Sequence, residues 1–93
     1  MRPNAPRALP YGMPAPHDPI PALKHQIAAA VVAELDGWTQ PMAAELLRTD
    51  QPRVSDLRNG KLQRFSLERL IRFAAQRGAT VSLEITWPRF PFR

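Results

Sequence analysis

TQPMAAELLRTDQPRVSDLRNG, residues 39–60, is the stretch whose reading decides the fold of this chain. Thr39 carries a hydroxyl that can accept from a first-turn N–H, so it caps a helix that Gln40 opens. Pro41 is tolerated there, because the first turn of a helix has no use for its missing N–H. Met42, Ala43, Leu46 and Leu47 then recur on one helical face. Arg48-Thr49-Asp50 breaks that pattern. Asp50 or Gln51 starts a second helix, with Pro52 in its first turn. Val54 and Leu57 point inward, while Gln51, Arg53, Ser55, Asp56 and Arg58 point outward. Asn59-Gly60 supplies a left-handed stop. The stretch therefore reads as two short helices joined by a tight turn. The exposed face of the second is almost all hydrogen-bonding side chains, which suits a surface that must read donors and acceptors.

The flanks extend the helical pattern. Upstream, a helix is expected from Pro21 or Ala22 to Asp36, with Leu23, Ile27, Ala30, Val31, Ala33 and Leu35 on its apolar side and Gly37 ending it. Trp38 falls between this helix and the next, where it plugs the core. Downstream, residues 61–65 form a loop with Phe65 turned inward. Ser66 caps a fourth helix, whose Leu67, Leu70, Ile71 and Ala74 follow the i, i+3, i+4, i+7 stripe, with Phe73 a further core residue. Gly78 stops it.

Taken together, these residues resemble the helix-turn-helix of the Cro/repressor (XRE-type) family. The residues that carry the resemblance are Thr39-Gln40, Ala43-Ala44, Gln51, Val54, Leu57 and Asn59-Gly60-Lys61. The continuation from Lys61 to Leu70 is similar to the short branch of that family that includes HigA-type antitoxins. The similarity spans about residues 23–87. Two positions depart from the family pattern. Pro41 replaces the usual acidic or polar residue, and Arg48 stands where a glycine often makes the turn. The resemblance implies a mainly α fold: a four-helix, repressor-like helix-turn-helix domain that presents its third helix to the DNA major groove.

Residues 80–87 change period. Val81, Leu83, Ile85 and Trp87 alternate with Thr80, Ser82, Glu84 and Thr86, the signature of a half-buried strand. A lone strand leaves its N–H and C=O groups without a ladder, and no second strand is evident in the chain. The economical solution is a C-terminal β-strand pairing antiparallel with its own copy across a homodimer two-fold axis. An extended tail packed on its own subunit is the alternative. Pro88 and Pro91 end the pairing. Phe90 and Phe92 would cover the edge or the helices, or stay open to a partner.

Ninety-three residues allow one domain. Residues 1–22 hold seven of the eleven prolines; they lack apolar periodicity and are expected to be a disordered arm. Such an arm is either a plain leader, a tail for a protein partner such as a toxin, or a basic extension (Arg2, Arg7) touching phosphate. Residues 23–78 form the expected DNA-binding domain. Residues 79–93 form the dimerisation strand and tail. The net charge of +5 points to an anionic partner. Between Arg48 and Arg77 there are eight basic residues against three acidic ones, so the excess sits on the third helix, its following loop and the fourth helix.

By that resemblance, double-stranded DNA is the expected partner. Gln51, Arg53, Ser55 and Asp56 are candidates for base contact, with the Gln51 amide able to pair bidentately with adenine. Asp56 is equally suited to pairing with a surface arginine. Thr39, Gln40, Arg58, Lys61 and Arg64 are candidates for phosphate contact. Val81, Leu83, Ile85 and Trp87 are candidates for the dimer interface. Arg69, Arg72 and Arg77 read as the solvated face of helix four. A sequence-specific transcriptional regulator and a toxin-masking antitoxin both fit these features.

Other function classes find little support. The chain has no cysteine, so a disulfide framework, a thiolate zinc finger and a cysteine nucleophile are excluded. Its two histidines, His17 and His25, provide no metal quartet. No glycine-rich phosphate loop or catalytic carboxylate pair is present, and neither an enzyme activity nor a cofactor is expected. No apolar run reaches membrane-spanning length and no secretory signal opens the chain, so a cytoplasmic location is expected.

Overall fold

Four helices follow one another in a computed structural model that describes residues 18–87. They are α1 (Ile20–Glu34), α2 (Gln40–Leu47), α3 (Gln51–Arg58) and α4 (Leu67–Gln76). The expectations for residues 1–17 and 88–93 lie outside the described part. Helix α1 starts at Ile20 and ends at Glu34, so both of its ends fall earlier than the sequence pattern suggests. The Asp18 carboxylate sets its start by accepting from the Ile20 N–H at 3.0 Å. Residues 20–22, expected in the arm, belong to this helix.

Local chemistry fixes the other three starts. Thr39, Asp50 and Ser66 each sit in extended backbone, and each side chain accepts from the N–H three residues on. Those acceptors satisfy donors that a helix start leaves free, each worth roughly 1 kcal/mol. The exits of α2, α3 and α4 share a second device, in which the chain crosses the left-handed region and two N–H groups turn back to the last carbonyls. At the end of α3, Lys61 N–H reaches the Asp56 carbonyl at 2.9 Å and Gly60 N–H reaches that of Leu57 at 3.2 Å. Gly60 takes φ +73° to permit it. At the end of α2 the equivalent bonds run from Thr49 to Ala44 and from Arg48 to Glu45. There the left-handed residue is Arg48, with φ 58°. The tight turn is thus made by a residue with a side chain, at a conformational cost of ~1–2 kcal/mol.

Helix α1 packs along α4, and α2 packs on α3; α3 also reaches α1, and α2 reaches α4. Their shared core holds Ala28, Val31, Leu35, Ala43, Ala44, Leu47, Val54, Leu57, Leu62, Phe65, Leu70, Phe73 and Ala74. No polar or charged side chain is buried among the described residues. Phe65 and Phe73 meet edge to face at 5.9 Å, closing the core between the loop and α4.

Several expected core positions move. Ala30 and Ala33 are exposed while Ala28 is buried: the run from Ile27 to Ala33 in α1 is apolar at every position, and Ala28 falls on the side near Leu57 and Leu62, whereas Ala30 borders an open groove beside α4. Met42 is half exposed. Trp38 is partly buried against the core, as its place between α1 and α2 suggests.

The strand expected over residues 80–87 is not formed within the single chain. Residues 80–87 lie in neither helix nor strand and make no backbone hydrogen bond among the described residues. Leu83, Ile85 and Trp87 stand exposed at 71%, 66% and 79%.

Candidate nucleic-acid interface

Helix α3 is seated by three contacts that leave one side open. Asp50 accepts from the Arg53 N–H at 2.8 Å and fixes the start. Val54 and Leu57 are buried and fix the rotation of the helix about its axis. Arg58 fixes the end, because its guanidinium donates to the Leu35 carbonyl at 3.0 Å and to the Trp38 carbonyl at 2.7 Å. With those anchors in place, Gln51 and Pro52 project freely from the first turn.

This geometry redistributes the residues expected to touch DNA. Thr39 uses its hydroxyl to cap α2, accepting from Met42 N–H at 3.3 Å, and Gln40 sits half-buried at that helix start. Gln51 is exposed at the start of α3. Arg53 is half-buried, with its guanidinium carbon 5.9 Å from the centre of the Phe65 ring. Ser55 and Asp56 are half-buried one turn on, and the Ser55 hydroxyl accepts from the Asn59 amide at 3.4 Å. Lys61 and Arg64 are exposed in the loop.

Arg58 is the correction. The sequence suggests an outward phosphate contact, yet the side chain turns inward to the α1–α2 connection. The reason is electrostatic. Carbonyls at and just past a helix C-terminus carry partial negative charge, and each has a second lone pair free even where, as at Leu35, one N–H already donates to it, so a guanidinium within reach is drawn to them. The spacing along α3 gives no hint of this, since the carbonyls belong to a segment twenty residues away.

A cluster that the linear sequence hides lies at the corner of α3 and α4. Arg53, Arg64, Arg69 and Arg72 surround a shallow basin of about 320 Å³, with Ser66 and Glu68. Arg69 stands over the Phe73 ring at 5.9 Å, as Arg53 does over Phe65. Glu68 pairs with Arg72 at 2.8 Å on the open surface. Four cations against one carboxylate make this corner strongly positive. The sequence signals for it are the basic excess between Arg48 and Arg77 and the three-residue spacing of Arg69 and Arg72, which puts both on one side of α4; neither shows that the four arginines meet.

Among the described residues, no group of three histidines, cysteines or carboxylates converges as a metal site. Nor is any helix among them long and apolar enough to cross a membrane. Compared with known protein families, residues 15–86 match the helix-turn-helix domain. No curated protein matches the chain.

Proposed function

We infer that this chain, which belongs to the helix-turn-helix domain family, is a sequence-specific DNA-binding transcriptional regulator that acts as an autorepressor. The observation that carries this reading is the open first turn of α3. Gln51 is exposed there on a helix whose start, rotation and end are all fixed by the body. A rigid helix with a free amide at its leading end can enter a major groove and read adenine. The basic corner of Arg53, Arg64, Arg69 and Arg72, together with the exposed Lys61 of the loop after α3, supplies cations for the flanking phosphates.

In this reading two copies pair through Val81, Leu83, Ile85 and Trp87 and bind a palindromic operator, with their third helices ~34 Å apart. The unpaired, exposed C-terminal segment supports the pairing. The protein acts in the cytoplasm, where its operator lies, and carries out no catalysis. A second reading follows from the same exposed segment and from the resemblance to HigA-type antitoxins. There the stripe masks a cognate toxin, and DNA binding is secondary.

A gel shift on the DNA upstream of the chain's own gene tests the first reading, run at physiological salt with excess random competitor. A shift that survives the competitor supports operator binding. Equal affinity for operator and random DNA would remove the sequence-reading claim. Copurification of a small basic protein would favour the second reading.

A further inference from the structure

Pairing two copies of residues 79–87 leaves one question open, namely what covers the apolar side of the resulting ribbon. The segment has a natural register. It is bounded by Gly78, which takes φ +102° where the chain leaves α4, and by Pro88, which cannot donate to a ladder. Leu83 is its midpoint. In an antiparallel pair, opposite residues point to the same side, so an axis lying between two residues would scatter the apolar side chains over both faces. An axis through Glu84 would set two carboxylates directly opposite each other. An axis through Leu83 avoids both problems and uses the whole segment. Leu83 then faces its copy, Val81 faces Ile85, Ser82 faces Glu84, and Ala79 faces Trp87.

That register carries Trp87 of the second copy to a particular place on the body. Ala79 lines a groove between α1 and the end of α4, bordered by Ala30, Glu34, Ala74 and Arg77, with a volume of about 350 Å³. Its walls are mostly small apolar side chains, and its size suits one large aromatic side chain. Arg77 stands at its edge. The guanidinium lies 5.9 Å from the Trp38 ring centre and 3.4 Å from the Glu34 carboxylate, while Nε is buried with no acceptor among the described residues. An aromatic face offers the exposed part of that cation a complementary surface. Trp87 itself is 79% exposed in the single chain and has no such contact.

We propose that the α1–α4 groove is the seat for Trp87 of a second copy, so that each subunit's tail locks onto the other's body. The inference rests on the two-fold pairing proposed above and adds a docking site to it. Pairing satisfies only the facing edge of each backbone; the seat buries the indole and fixes the angle between the two bodies.

Sedimentation equilibrium of the full chain tests it, with two variants. Trp87→Ala removes the occupant. Ala30→Gln fills the groove from an exposed helical position and leaves the core untouched, which circular dichroism checks. Each should weaken dimerisation by roughly tenfold or more, as loss of a buried aromatic anchor does. The double variant should be no weaker than the worse single, because both remove one contact. Dimerisation of Ala30→Gln at wild-type strength would overturn the seat while leaving the pairing in place. A wild-type chain that stays monomeric at every concentration would overturn both and leave the segment to a different protein. DNA binding, read by gel shift, is a separate outcome in either case.

Discussion

The guanidinium of Arg58 donates to the backbone carbonyl of Trp38 at 2.7 Å, joining the end of the third helix to the connection between the first two. A second bond, to Leu35 at 3.0 Å, makes the tie double. Arg58→Ala should therefore lower stability by ~1–3 kcal/mol, as loss of hydrogen bonds from a charged donor to partly buried carbonyls does. A urea titration reads this as an earlier midpoint with unchanged slope. An unchanged midpoint together with a weaker salt dependence of DNA binding would return Arg58 to the phosphate backbone.

Arg48 offers a stabilising change. Its left-handed conformation costs an L-residue ~1–2 kcal/mol, and glycine avoids that cost. Glycine loses ~0.5–1 kcal/mol more in chain entropy on folding. Arg48→Gly should thus stabilise the domain by up to about 1 kcal/mol, while Arg48→Ala should not. Thermal unfolding of the two variants side by side decides the matter.

On DNA, Gln51→Ala should cost ~1–3 kcal/mol and relax preference at one base position. Lys61→Ala should instead weaken binding to all sequences alike and reduce the salt slope by ~1. Measuring both variants against operator and random DNA at several salt concentrations separates base reading from phosphate contact. If Gln51→Ala binds the operator as tightly as wild type, the amide is not a reader.

Leu83→Asp places a charge at the centre of the exposed apolar stripe and, in a two-fold pair, opposite its own copy. Light scattering should then return the monomer mass. The helical circular dichroism should persist, since residue 83 makes no contribution to the core. A dimer mass from this variant would sink the strand-pairing model.

Much of this architecture is written locally. Thr39, Asp50 and Ser66 act within three residues of themselves, and Gly60 and Gly78 act on the turn they occupy, so the sequence alone marks those helix boundaries. The buried side of α1 is not written that way. The run from Ile27 to Ala33 is apolar at every position, so no period distinguishes Ala28 from Ala30, and the tertiary packing, which brings Ala28 near Leu57 and Leu62, makes the choice. The candidate interface divides in the same manner. Gln51 is legible from its place at a helix start. The inward turn of Arg58 and the gathering of Arg53 and Arg64 with Arg69 and Arg72 depend on distant segments meeting. The pattern at residues 81–87 names a strand, yet the described residues form no ladder with it.

The first turn of α3 contributes nothing to the core, while the next turn buries Val54 and then Leu57. Residues 51 and 52 can therefore be exchanged during evolution without disturbing the body that carries them. Arg53 has less freedom, because it rests on the Phe65 ring. Under the proposed reading, a lineage built on this scaffold acquires a new target sequence through these two surface positions, while the buried residues that seat the helix stay as they are.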